Sequence, residues 1–345
     1  MGCFHPLKAY QVQKGEKPFF VPFKLPSGKY IDSRDWQVGY DRRDSHYILI
    51  PCGQCTGCRL EYSRQWAVRC LAEMYTSLPN SCHFVTLTYD DEHLPDNRYA
   101  VNPDTGETLY PTYPVCRRDV QLFMKRLREN YYRLYPPEKD EDGNILNPIR
   151  FYGCAEYGGK NGRPHYHIIF FNLLLDLLPY RYKSHSGYPL WESSIINSSW
   201  NKGLAPIGSV TFESVAYCAR YMMKKHKGKD FSFYSEHGLE PEFTLCSTRP
   251  GIGSYYYQQH KDDIYLNDVL DFALKGRTVR PPRYFDRMFG VEEPDRLQSL
   301  KDERLSNARD SQDLLVQRSG LSLDEILRKR EFLTDSSILG LTRAL

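Results

Sequence analysis

The sequence predicts an α+β protein, and three observations carry that prediction. Residues 149–157 and 165–171 are two apolar runs on either side of a Gly- and Pro-containing turn, which reads as a hairpin. Residues 82–89 are rich in β-branched and aromatic side chains, the mark of a third strand. Residues 59–77 and 119–134 carry apolar side chains at helical spacing.

In chain order, residues 1–50 are Pro- and aromatic-rich and read as a mostly extended section, closed by a short strand at 46–50. The helix at 59–77 is predicted by Trp66, Cys70 and Met74, with Ala67 and Leu71 beside them. Asp90, Asp91, Glu92 and His93 follow the strand at 82–89 and suit a solvated turn better than a metal site. Asp119 is placed to cap the next helix, whose stripe is Val120, Phe123, Met124, Leu127 and Tyr131. Arg117, Arg118, Lys125, Arg126 and Arg128 lie off that stripe, as phosphate contacts or a solvated face. Pro136 and Pro137 stop the helix. Further elements are a helix at 191–200 ending at Gly203, a strand at 209–212, a helix from 213 to 227 and a strand at 243–248. Residues 279–289 are basic and aromatic, a composition that supports nucleic-acid contact, and from 291 the pattern is a charged helical tail.

Chemistry concentrates in the hairpin. Residues two apart on a strand share a face, so His165 and His167 present two imidazoles together. Antiparallel pairing brings Glu156 to the same face. Two imidazoles and a carboxylate would hold a divalent metal and leave positions open for a substrate oxygen. Imidazoles favour Mn2+, whereas Mg2+ prefers oxygen. Upstream, Cys52, Cys55 and Cys58 have zinc-ligand spacing, with Cys3 as first choice for the fourth ligand and His5 as second. A ferredoxin-type cluster would require Cys and Pro where Tyr62 and Ser63 stand.

Downstream, Tyr217, Tyr221, Lys224 and Lys225 fall at i, i+4, i+7 and i+8 of one helix, a face that serves either packing or chemistry. A tyrosine hydroxyl is a poor nucleophile, with an unperturbed pKa of about 10. Beside a metal that holds a phosphodiester it can attack and retain one strand end as a phosphotyrosine. The two lysines would stabilise phosphate or phenolate charge.

These segments carry a resemblance. Arg163-Pro-His-Tyr-His167, the strand Phe84-Val-Thr-Leu-Thr-Tyr89 and Tyr217-Cys-Ala-Arg-Tyr221-Met-Met-Lys-Lys225 resemble the three motifs of rolling-circle replication initiators of the HUH endonuclease superfamily. The paired tyrosines look most like the initiators of single-stranded DNA phages of the microvirus family, and Cys52-Gly-Gln-Cys-Thr-Gly-Cys58 like the gokushovirus branch. The resemblance covers about residues 50–255. It implies a central antiparallel sheet flanked by helices, His165, His167 and Glu156 as metal ligands, and Tyr217 and Tyr221 as nucleophiles. It implies origin DNA as substrate and, with no helicase domain present, a host helicase and polymerase as partners.

The expected organisation is an N-terminal extension with a zinc site at 1–58, an endonuclease core at 59–255 and a helical extension at 256–345. Hydrophobic content of 41% and charged content of 26% suit a soluble globular protein, and a net charge of +3 requires any basic surface to be local. No stretch is long and apolar enough to span a membrane, no secretory signal or P-loop motif is present, and the ten cysteines fit the reducing cytoplasm of an infected bacterium. Two rival functions are a plasmid relaxase or transposase with the same site, and a zinc-containing nucleic-acid-binding regulator without chemistry.

Overall fold

The computed structural model describes residues 2–11, 20–22, 47–95, 105, 113–158, 162–180, 183–184, 187–211, 214–215, 218, 232–271 and 278–343. The chain divides into two compact units, Met1–Glu61 with Asn307–Ala344, and Tyr62–Ser306.

The first unit contains a three-stranded antiparallel sheet of order β2-β1-β3, from β1 (Leu7–Gln11), β2 (Phe20–Pro22) and β3 (Tyr47–Ile50). Helix α1 (Thr56–Tyr75) leads from it into the second unit. There the main sheet has seven antiparallel strands, in the order β10-β5-β6-β4-β9-β8-β7. These are β4 (His83–Thr88), β5 (Arg150–Tyr157), β6 (Pro164–Phe171), β7 (Leu178–Pro179), β8 (Trp191–Glu192), β9 (Ile207–Ser209) and β10 (Thr244–Cys246). The expected α+β class and antiparallel sheet are therefore present.

Alternation along the strands sorts side chains to the two faces. Val85, Leu87, Tyr166, Ile168 and Phe170 pack with the stripe Val120, Phe123, Met124, Leu127 and Tyr131 of α2 (Arg117–Leu134). Phe84, Tyr152, Cys154, Ile169 and Phe171 face the other way, onto Ala67 and Cys70 of α1 and onto Val215 and Cys218. Burying each large side chain contributes about 1.5–3 kcal/mol, so these two layers fix the hairpin at the middle of a sandwich. A buried ion pair ties α1 to the sheet. Arg150 Nε donates to Glu73 of α1, whose second oxygen accepts the Gly253 N–H at 2.6 Å. Glu73→Ala strands the Arg150 charge and is expected to cost about 3–5 kcal/mol, read as a lower urea midpoint. A loss below about 1 kcal/mol would contradict this role.

Four local expectations are corrected. Asp119 does not cap α2; Cys116 holds the cap position, and the Asp119 carboxylate accepts the Tyr89 hydroxyl at 2.8 Å. The helix expected at 191–200 is only α3 (Ser194–Trp200), because Trp191 is taken into β8 by pairing with Ile207. It ends at Asn201, whose φ of 44° is left-handed, and not at Gly203. The strand expected at 209–212 lies at β9, because Ile207 pairs with Val85 and Thr211 already turns into a helix. Arg126 and Arg128 are structural rather than solvated, donating to the carbonyls of Ser199, Trp200 and Ile149.

After β9 come α4 (Ser232–Glu236) and α5 (Ser254–Asn267). The C-terminal region is helical as expected, with α6 (Arg283–Glu292), α7 (Pro294–Ser319) and α8 (Leu323–Arg343).

Candidate metal centre and the cysteine cluster

Register builds the candidate centre. Glu156 pairs across β5–β6 with His165, and Cys154 with His167, so all three polar groups share one face. The Nε2 atoms of both imidazoles meet Glu156 Oε1, at 3.2 Å for His167 and in a closer hydrogen bond for His165. The ligand atoms of the three residues lie within 4.8 Å of one another. Gly162, with a φ of 58°, makes the turn that brings the strands together, supported by the Gly158 N–H donating to Arg163 O at 2.9 Å.

A second layer orients both rings. His167 Nδ1 meets the Thr86 hydroxyl at 3.1 Å, since Thr86 on β4 pairs with His167 on β6. His165 Nδ1 meets the Arg163 carbonyl at 3.1 Å. With each Nδ1 engaged, each Nε2 is aimed at the shared point, the arrangement of metal-ligating histidines. Burial raises the Glu156 carboxyl, but hydrogen bonds and charge from His165 and His167 outweigh it and hold the pKa at about 2. Two imidazole nitrogens and a carboxylate oxygen are a donor set that fits a divalent cation. Its open side is at His165, whose side chain is 17% exposed against 8% for His167.

Sequence reasoning named Glu156, His165 and His167 but not Thr86, although Thr86 lies within the strand motif it singled out. Asp90 and His93 pair with each other at 2.6 Å in a turn, and Asp91 takes Arg163 at 2.7 Å, so this turn gathers no metal ligands among the described residues.

Tyr217, Tyr221, Lys224 and Lys225 lie outside the described residues. The start of their segment is described. The Thr211 N–H donates to Ser214 Oγ at 2.8 Å and the Ser214 N–H to Thr211 Oγ1 at 3.2 Å, a reciprocal cap that starts a helix. Val215 and Cys218 are buried against the sheet face that carries the two imidazoles. The Cys218 thiol, raised by burial, faces that of Cys154 and feels the Glu156 charge.

In the first unit Cys3, Cys52, Cys55 and Cys58 form a second donor set, with sulfurs within 4.8 Å of one another. Two sulfur pairs, Cys52–Cys58 and Cys3–Cys55, stand at 3.9 Å. A zinc–sulfur bond of about 2.3 Å in a tetrahedron gives edges of about 3.8 Å, so the spacing suits thiolate ligands. Each sulfur also accepts one backbone N–H at 3.3 Å, from Phe4, Cys52, Gly53 and Cys55. The set is four cysteines; His5, the second choice, instead pairs with Glu331 at 2.8 Å. Gly57 is required by close approach, since a Cβ there would lie 1.4 Å from the Gly2 carbonyl oxygen. Purified protein is expected to carry about one tightly held ion at this cluster, and Cys52→Ser to lose it together with thermal stability. Metal-free protein of full stability would contradict the assignment.

Residues 82–226 match the family described as replication-associated protein ORF2/G2P. The chain is 37% identical over 309 residues to replication-associated protein ORF2 of Spiroplasma virus 4, covering 88% of this chain and 86% of that one. It is 29% identical over 251 residues to replication-associated protein VP4 of Bdellovibrio phage phiMH2K, covering 72% and 70%. Replication-associated protein ORF4 of Chlamydia phage 1 is 26% identical over 282 residues, covering 79% and 61%. No solved structure matches.

Proposed function

The chain belongs to the family of phage replication-associated proteins described as ORF2/G2P, and from that premise we propose that it is a site-specific single-stranded DNA nickase and ligase of the HUH endonuclease type. It would start and finish rolling-circle replication of a circular phage genome in the cytoplasm of the infected bacterium. The observation that carries this reading is the convergence of Glu156, His165 and His167, with both Nδ1 atoms engaged elsewhere. Glu156, His165 and His167 would hold the divalent cation, Mn2+ or Mg2+, which when bound positions the scissile phosphate and offsets charge on its oxygens.

The protein's own groups carry the reaction. The hydroxyl oxygen of Tyr217 or Tyr221 attacks phosphorus, and the bond from phosphorus to the 3′ oxygen breaks. The 5′ phosphate stays on the tyrosine, and the proton given up by the phenol is balanced by the one the 3′ oxygen takes up as it leaves as a hydroxyl that a host polymerase can extend. Lys224 and Lys225 stabilise the phenolate and phosphate charge. The phosphodiester energy is retained, so resealing requires no nucleotide cofactor. Unwinding falls to a host helicase. The four cysteines would hold structural zinc. No helix among the described residues is long and apolar enough to cross a membrane.

Incubation of the protein with circular origin DNA and Mn2+ tests the reading. The expected product is a nicked strand whose 3′ end is extended by polymerase and whose 5′ end is blocked by protein. Release of a free 5′ phosphate would point to hydrolysis and overturn the proposal.

A further inference from the structure

We propose that Tyr62 of α1 and Arg280, Arg283, Tyr284 and Arg287 around the start of α6 form a binding face for single-stranded DNA, a surface that rests on the nickase reading and extends it. The segment from Lys275 to Arg287 holds five basic residues and one acid, Asp286. That acid is consumed within the fold, accepting the Tyr265 hydroxyl at 2.9 Å and Arg304 at 2.8 Å. Arg280, Arg283 and Arg287 are exposed, and Arg283 and Arg287 are four residues apart, on one side of α6.

The face is built rather than incidental. Arg69 lies between the rings of Trp66 and Tyr284, 4.1 and 4.0 Å from their centroids, and donates to the Ile252 carbonyl at 3.0 Å. Arg64 donates to the Arg280 carbonyl at 3.1 Å, and the Arg283 N–H to Gln65 at 3.3 Å. These contacts pin the basic segment to α1. Tyr62, 42% exposed, sits edge-on to Trp66 at 6.4 Å, so an aromatic ring accompanies the charges. Arginines for phosphates beside rings for bases is the chemistry of single-strand recognition. The basic row on α2 offers less, since Arg126 and Arg128 are committed to backbone carbonyls.

The face is anchored to the sheet that carries the candidate centre. Trp66 stacks on Tyr152 at 4.6 Å, and Tyr152, Cys154 and Glu156 follow one another on the same side of β5. From Tyr152 to Glu156 the strand runs about 13 Å.

The test uses full-length Arg283→Glu/Arg287→Glu and Tyr62→Ala, with a fluorescent oligothymidylate and its duplex as probes. Wild type is expected to prefer the single strand. The charge reversal should weaken binding at least 10-fold and lower the salt slope by about 1.4, which is about 0.7 for each phosphate that is no longer neutralised. Tyr62→Ala should weaken it about 5-fold or more. If the reversal perturbs folding, as thermal denaturation will show, Arg283→Gln/Arg287→Gln supplies the same comparison. Affinity within 2-fold of wild type in the arginine variants, or a wild-type preference for duplex, would overturn the proposal. Adduct formation on origin DNA is measured in parallel with wild type. Its absence in wild type would sink the nickase reading while the binding result still decides this face.

Discussion

His165→Ala and His167→Ala are each expected to lower origin cleavage about 10³-fold or more, with the fold retained. Each variant removes one of three donors from a site whose stabilisation of transition-state charge is worth several kcal/mol, and each 1.36 kcal/mol is tenfold in rate. His165 contributes little to the core because it lies at the open side, whereas His167 is buried and stacks on Phe84 at 5.5 Å; most of the apolar packing of β6 comes from Tyr166, Ile168, Ile169, Phe170 and Phe171. Thermal denaturation should therefore move by only a few degrees. Thr86→Val is expected to fall between, at about 10- to 100-fold, because it frees His167 Nδ1 without removing a donor. Cleavage at the wild-type rate in either alanine variant, with metal supplied, would remove these residues from the mechanism.

The second large effect concerns the tyrosines. Tyr217→Phe and Tyr221→Phe should each retain some cleavage of an origin oligonucleotide, and the double variant none. Initiation requires one nucleophile. Termination requires another, because the first still holds the parental 5′ end, so each single variant should release few closed unit-length circles. Phenylalanine keeps the ring and removes only the hydroxyl, which separates chemistry from packing. If one tyrosine is only a packing residue, its variant will behave as wild type in both assays. A normal yield of circles from either single variant, with the protein acting as a monomer, would exclude the paired mechanism.

The hairpin was legible in the sequence because a period of two and a Gly/Pro turn are local signals, and the His-x-His spacing follows from them. The stripe of α2 was legible for the same reason, at a period of 3.6. Thr86 was not, since a threonine in a strand is ordinary until register places it opposite His167. The Glu73–Arg150 pair was equally hidden, its partners 77 positions apart. Cys3 could be ranked above His5 as the fourth cysteine-site ligand, but only the folded chain shows its sulfur 3.9 Å from that of Cys55. The boundary at Trp191 was missed because helical periodicity does not reveal that this side chain's backbone is paired with Ile207. Of the three-stranded sheet only β3 was read as a strand, at 46–50; β1 and β2 were read as extended chain, since they are short and the pairing of β1 with β3 is distant in sequence.

The most direct test of the central claim is mass spectrometry of the covalent product formed with single-stranded origin DNA and Mn2+. The account predicts a nucleotide joined through phosphate to Tyr217 or Tyr221, present in wild type and absent from His165→Ala. Cleavage without any adduct, or an adduct on a residue outside this pair, would contradict it.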